Sequence, residues 1–298
     1  MESASNRITE PSVEVSVIVP FRNADPYLRD QLEALASQDF EGKWEVVVVD
    51  NGSRDDSRAI AESFSDRLNL HIVDAGDRPG AAYATNLGVR HASGRKLIFV
   101  DADDEVAPGY IAAMAAGLDR YDFITSNFDH RTLNPPWAQV AHGPLWRDPE
   151  DPLVDHFGVL PSAGGSIGVS RPVFEAVGGF PEAFGRMYDI AFSWEVQSAG
   201  TPLHHVPDAV YRVRLRSTLS GLFRQGLAGS SYAPLLYKRY RHFGMQRRTV
   251  EGVLRSWARL GVGFLKARTK ADVASLMVEL GRQLGRLRGS LRHRVFFP

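Results

Sequence analysis

Apolar residues in the first hundred positions form short β-branched runs separated by segments of helical spacing. Val15-Ser16-Val17-Ile18-Val19-Pro20 reads as a strand closed by proline, and Pro26 to Leu35 as a helix with Tyr27, Leu28, Leu32 and Leu35 on one stripe. Trp44-Glu45-Val46-Val47-Val48-Val49 is a second strand of the fully buried kind. It spills into Asp50-Asn51-Gly52-Ser53 ahead of a helix over Asp55 to Phe64. Leu70-His71-Ile72-Val73 makes a third strand, Gly80 to His91 a small-residue helix, and Leu97-Ile98-Phe99-Val100 a fourth strand. Strands alternating with helices predict a mostly parallel sheet with helices on both faces.

The fourth strand breaks abruptly into Asp101-Ala102-Asp103-Asp104. Acids at the carboxyl end of a strand lie where open α/β sheets bind ligands. Aspartates one residue apart offer hard oxygen ligands to Mg²⁺ or Mn²⁺, and such an ion neutralises a diphosphate. The same acids also suit a turn and helix cap ahead of Pro108 and Gly109.

The chain has 298 residues, 44% of them hydrophobic, enough for one large α/β domain or one domain with an appendage. It has no cysteine, so neither disulfides nor thiolate metal sites are available. Met1 to Pro11 is polar, and no stretch approaches the roughly 20 apolar residues of a membrane span. A cytoplasmic location is the expectation. Net charge is zero, yet Lys238–Pro298 holds 15 Lys and Arg against 3 Asp and Glu, a net +12. Met1–Tyr237, with 20 basic and 32 acidic residues, is −12.

Four segments recur here in a familiar order: V-S-V-I-V-P, then V-V-V-D-N-G-S-x-D-x-S, then a Gly…Asn-x-Gly helix, then F-V-D-A-D-D. In this the chain resembles the family-2 glycosyltransferases with the GT-A fold, especially bacterial rhamnosyl- and galactofuranosyltransferase-like members. Phe123-Ile124-Thr125-Ser126-Asn127 resembles the strand after the acidic motif. Ala163 to Arg171, leading into Phe174 to Phe180, resembles the acceptor-side segment, so the likeness covers roughly Val13 to Tyr240. It implies an α/β, Rossmann-like GT-A domain over 13–237, with a donor half at about 13–128 and an acceptor half at about 129–237. A flexible N-terminus, 1–12, and a basic helical tail, 238–298, complete the expected organisation.

By the same resemblance, Pro20 and Asp50 hold the base and ribose of a nucleoside-diphosphate sugar, although Asp50 could simply start the turn with Asn51 and Gly52. Arg78 would pair with the diphosphate, or stand as a solvated surface arginine. Asp101 would contact ribose or metal-bound water, and Asp103 would ligate a divalent Mn or Mg ion that acts as a Lewis acid on the leaving diphosphate. Asp104 would orient the others or cap the next helix. Gly165, Ser166 and Trp194 fall on the acceptor side. Asp189 matches the residue expected to deprotonate the acceptor hydroxyl, in a segment where Tyr188, Ala191 and Glu195 replace two acids and an arginine. Arg212 stands where many relatives have histidine, and an arginine cannot ligate a metal.

The span from His130 to Pro161 holds Trp137 and Trp146, which either stack on sugar or fill gaps under a loop. In the tail, Gly252 to Ala267 and Val273 to Leu291 set apolar residues against arginines, and Val295-Phe296-Phe297 adds an apolar end. Such helices either lie on an anionic membrane surface or pack on the domain. No nucleic-acid motif accompanies the charge. The sequence therefore predicts an inverting transferase moving a sugar, a hexose by expectation, onto a cell-envelope or lipid-linked saccharide, at the inner face of the membrane. The rival readings are a degenerate sugar-nucleotide-binding scaffold and a nucleotidyltransferase.

Overall fold

The computed structural model describes residues 13–142, 153 and 155–297; the expected flexible N-terminus, 1–12, and Trp146 lie outside them. The first half runs β1 (Val15–Phe21), α1 (Tyr27–Ala36), β2 (Trp44–Asp50), α2 (Ser57–Glu62), β3 (Leu70–Asp74), α3 (Ala81–His91) and β4 (Lys96–Val100). It continues through β5 (Glu105–Val106), α4 (Tyr110–Arg120), β6 (Phe123–Asp129) and α5 (Pro136–His142). Two short strands, β7 (Asp155–His156) and β8 (Leu160–Pro161), pair with each other before β9 (Ser166–Ser170) and α6 (Arg171–Ala176). A 3₁₀ turn over Glu182–Met187 leads into α7 (Tyr188–Ser198) and β10 (His204–Arg212). Four helices close the chain: α8 (Leu219–Ser230), α9 (Ala233–Tyr240), α10 (Val250–Lys266) and α11 (Lys270–His293).

The main sheet has the order β3-β2-β1-β4-β9-β6-β10-β5. Pairings of β1 with β2 and β4, β2 with β3, and β6 with β10 are parallel. Strand β9 runs antiparallel between β4 and β6, and β5 antiparallel beside β10. The inserted β9 is the departure from simple strand-helix alternation, since its partners come from distant parts of the chain. Along β1 and β2 the two faces separate as period-2 alternation demands. Val15, Val17, Val19, Val46 and Val48 meet Leu28, Leu32, Ile60 and Met114 on one face. Ile18, Val47 and Val49 meet Ala84, Phe174 and Phe192 on the other. Both faces are covered by helices, and the carboxyl ends of β1, β2 and β4 are left free to line a cleft.

The tail packs on the domain through α11. Glycines set that contact: a Cβ at Gly285 would sit 2.5 Å from the Leu227 carbonyl oxygen, and one at Gly226 would sit 2.5 Å from that of Val278. Gly281 and Gly289 approach Phe223 and Ser231 as closely. Trp137 lies with Leu222, Ala274 and Val278, under the Lys270 ammonium 3.8 Å from its ring centroid, so it anchors the tail and fills a gap. Phe297 is 2% exposed against Tyr237 and is no free apolar anchor, whereas Phe296 is exposed. Gly285→Val is expected to destabilise the chain by about 1–3 kcal/mol through overpacking. Gly261→Ala, on α10 with open space around it, should instead stabilise by about 0.5–1 kcal/mol. Thermal unfolding of the two variants reads both; equal melting temperatures would show that α11 is not seated on α8.

Candidate active site

A cleft of about 790 Å³ opens at the carboxyl ends of β1 and β4, where Pro20, Asn51, Asp101, Asp103, Gly165 and Asp189 meet. One carboxylate oxygen from each of Asp101, Asp103 and Asp104 falls within 4.8 Å of the others. The tight turn after β4 makes this possible, and Gly165 permits it: a Cβ there would lie 2.6 Å from Asp101 Oδ2. The backbone N–H of Asp101 donates to the Tyr211 hydroxyl at 2.8 Å, and that hydroxyl also bonds the Asp104 carboxylate. The Arg214 N–H donates to Asp104 Oδ1 at 2.6 Å, and Arg216 pairs with Asp103 Oδ2 at 2.8 Å.

Crowding governs these acids. Burial, then the charges of Asp104, Asp103 and Asp189, hold the Asp101 carboxyl well above its usual range, against the pull of Arg186. Asp104 is pushed up to about 7 by burial and by Asp103, with the Arg214 amide and Tyr211 opposing. Three hard oxygen donors whose charges repel one another fit a divalent cation, which would favour their ionised forms.

Asp189 sits in the first turn of α7 with Oδ1 buried and without a hydrogen-bond partner. Burial raises its carboxyl to about 6, though the backbone N–H groups of Ile190 and Asp189 itself pull the other way. Tyr188 lines the same cleft, and burial together with Asp101 and Asp189 pushes its phenol up.

The remaining expected residues stand around this centre rather than in it. Asp50 is 5% exposed and accepts from the Ser53 N–H at 2.8 Å, closing the Asn51-Gly52-Ser53 turn behind the cleft wall. Asn51 shapes the wall: its Nδ2 donates to the Ala75 and Arg78 carbonyls and its Oδ1 accepts from the Gly80 N–H. Arg78 pairs with Glu182 and stacks on Tyr83, beside a small adjoining cavity. Ser166 is buried with its hydroxyl on that of Tyr110 at 2.6 Å. Trp194 is fully buried, its Nε1 donating to the Leu160 carbonyl at 2.9 Å, and it does not reach the cleft. Its neighbour Glu195 accepts from the Tyr240 hydroxyl at 2.6 Å.

The family model for glycosyl transferase family 2 matches residues 16–178, more than half of the chain. The chain belongs to that family. TarS of Staphylococcus aureus, a poly(ribitol-phosphate) beta-N-acetylglucosaminyltransferase, is 34% identical over 111 residues, 37% of this chain and 19% of that protein. Glycosyltransferase AglE of Haloferax volcanii is 41% identical over 91 residues, 30% of each chain. The chain thus spans under a third of the length of these relatives. Mannosyltransferase PcManGT from Pyrobaculum calidifontis, solved with GDP-Man and Mn²⁺, superposes with a TM-score of 0.61 at 21% identity over 96% of this chain and 88% of that one. TarS 1-349 with UDP-GlcNAc gives 0.55 at 18% identity over 96% and 93%. These likenesses establish the GT-A fold.

Against the family pattern, Arg212 pairs in register with Asp129 on β6, whose carboxyl is lowered against its burial by the Thr132 hydroxyl and the Arg131 and Thr132 N–H groups, the Arg212 charge adding least. Arg214 and Arg216, two and four residues on, reach the acids instead. Sequence reading missed Tyr211 and Arg216; arginines at 212, 214 and 216, alternating after a strand, were the available signal. At neutral pH the buried Asp189 charge costs stability, because its carboxyl is raised in the folded state from the usual 3.8 to about 6. The folded chain then holds the proton more tightly, so the penalty is absent at low pH and grows as pH rises through that window. Asp189→Asn is expected to stabilise at pH 7.5 by on the order of 2 kcal/mol, with the gain vanishing toward about pH 4. Thermal unfolding across pH measures it, and a pH-independent difference would show that the carboxylate is not desolvated.

Proposed function

We propose that the chain is an inverting glycosyltransferase that moves a hexose from a nucleoside-diphosphate sugar to an acceptor hydroxyl of a cell-envelope or lipid-linked saccharide. One observation carries this reading: a cluster of three aspartates at the end of β4 and an Asp189 oxygen without a partner share one cleft. The nucleotide sugars and Mn²⁺ named with PcManGT and TarS support a donor of the same class. Asp103 with Asp101 would hold a Mn or Mg ion, which when bound supplies Lewis-acid stabilisation to the departing diphosphate.

Asp189 accepts the proton of the acceptor hydroxyl, whose oxygen attacks the anomeric carbon as the bond to the diphosphate breaks on the opposite face. Its elevated pKa suits it as a base near neutrality. Pro20 and the Asp50-held turn border the nucleotide, Arg78 flanks the phosphates, and Gly165 forms the floor on the acceptor side, with Ser166 and Trp194 supporting it from behind. Residues 13–128 serve the donor, 129–237 the acceptor, and 238–298 form the tail.

Asp189→Asn is expected to lower transfer by about 10²–10⁴-fold without weakening Mn²⁺-dependent nucleotide binding. In wild type, kcat/KM should rise with pH through about 6, because only the carboxylate accepts a proton. Screening UDP-, GDP- and dTDP-sugars with Mn²⁺ for transfer or hydrolysis checks both. Binding of a donor with no turnover would favour the sugar-nucleotide-binding scaffold, and pyrophosphate release from a nucleoside triphosphate would favour a nucleotidyltransferase.

The tail suits an anionic membrane surface on the cytoplasmic side. Helix α10 buries Leu260 and rests on α11 through Gly263 against Leu276. Val250, Leu254 and Leu265 on its outward face are 62%, 65% and 81% exposed, and Arg255, Arg259 and Lys266 flank them. No helix among the described residues is long and apolar enough to cross a membrane. The chain should pellet with vesicles containing phosphatidylglycerol and not with phosphatidylcholine alone. Leu254→Ser/Leu265→Ser should lower that binding about tenfold without changing the melting temperature, and equal binding by the variant would exclude this face.

A further inference from the structure

The cleft receives two cationic side chains that the donor reading leaves unused. Arg288 and Arg292 of α11 line it together with Tyr232, Gln225 and Ser231. They lie four residues apart and so share one face of the helix. Of the other arginines near it, Arg214 pairs with Asp30 and Glu105, Arg216 with Asp103, and Arg282 and Arg286 with Glu279, whereas Arg22 and Arg186 also line the cleft, Arg186 close enough to act on the Asp101 charge. Among the described residues neither Arg288 nor Arg292 has a carboxylate within ion-pair distance. Among the described residues, the guanidinium of Arg292 lies over the Tyr232 ring, 5.6 Å from its centroid.

Both side chains are exposed, and the helix that carries them is fixed rather than loose. The Gly281, Gly285 and Gly289 seam locks α11 against α8 at backbone contact, so the helix cannot shift without opening that interface. Tyr232 carries the placement to the chemistry, since its ring fills the space where a Gly185 side chain would stand. Gly185 precedes Arg186, and α7 with Asp189 begins directly beyond that turn. Gly185 adjoins Gly80 as well as the turn into α7, so the two guanidinium groups enter the cleft that holds Asp189 from the side of Tyr232.

We propose that Arg288 and Arg292 bind a phosphate group carried by the acceptor, so that the substrate accepting the sugar is a phosphorylated glycan or lipid phosphate. This rests on the reading of Asp189 as the base. Guanidinium groups present forked donors that match phosphate oxygens, and a partly enclosed cleft strengthens the pairing relative to bulk water. The phosphate would hold the acceptor by its charge and leave its hydroxyl free for Asp189.

Glycerol 3-phosphate serves as the probe, with glycerol as the uncharged control, titrated calorimetrically into the full chain with and without UDP, GDP or dTDP and Mn²⁺. Wild type should bind glycerol 3-phosphate and not glycerol, with or without nucleotide. Arg288→Ala/Arg292→Ala should bind it at least tenfold more weakly and keep nucleotide affinity within twofold, and Arg288→Lys/Arg292→Lys should recover part of the loss. Unchanged binding in the alanine variant, or none in wild type, overturns the proposal. A parallel loss of nucleotide affinity also overturns it, by assigning the arginines to the donor diphosphate. Absence of nucleotide binding in wild type would instead count against the donor reading, which the phosphate titration does not depend on.

Discussion

Repulsion among carboxylates at the end of β4 is the constraint around which the molecule is built. Asp101, Asp103 and Asp104 sit close enough for one cation to touch all three, with Asp189 adding to the field. Raising a buried aspartate such as Asp104 from 3.8 to about 7 corresponds to on the order of 4 kcal/mol against its ionised form. Such a cost is sustained by surroundings that fix the groups in place, and a bound cation would relieve it. The fixing is visible in the Tyr211 hydroxyl, the Arg214 amide, the Arg216 pair and the absent side chain at Gly165. Each comes from the second half of the chain, so later elements complete a motif that the first half only begins.

That division explains what was legible beforehand. The strands β1 to β4 and their helices are written locally, as β-branched runs and helical stripes, and their observed bounds lie within a few residues of those read from pattern. Asp101, Asp103 and Asp189 were legible because their residue types occur in a recognisable order. Strand β9 was not placed antiparallel by its composition, because its neighbours β4 and β6 lie far away in sequence. Tyr211 reads as an ordinary aromatic in a strand until the fold sets its hydroxyl against Asp101, 110 residues earlier. Trp194 shows the converse: a residue matched by motif to the acceptor side turns its indole into the core, where its N–H needs and finds the Leu160 carbonyl.

The zero net charge resolves into a spatial arrangement once the tail is placed. Glycines on α11 bring a helix of the strongly basic tail against a domain of opposite net charge, an arrangement favoured by long-range attraction and made specific by backbone proximity. Of the two acids of α11, Asp272 caps the helix N-terminus and Glu279 pairs with Arg282 and Arg286, so that among the described residues Arg288 and Arg292 have no carboxylate partner at the cleft.

Helix α10 presents the complementary case, with its exposed leucines turned outward over a narrow seam to α11. On the proposed reading the two helices would divide work that one amphipathic segment could not do. A helix committed to a membrane surface by its apolar face cannot also hold arginines at a fixed depth in an active-site cleft, because its depth and rotation follow the bilayer. Seating α11 on protein would, on the proposed reading, leave α10 for the interface and separate these demands. It also links them mechanically, since Gly263 rests on Leu276 and Arg248 reaches Gln283. An acceptor that brings both a phosphate and a lipid to this chain would meet α11 with one and the surface under α10 with the other, so its hydroxyl would approach Asp189 already oriented at two points.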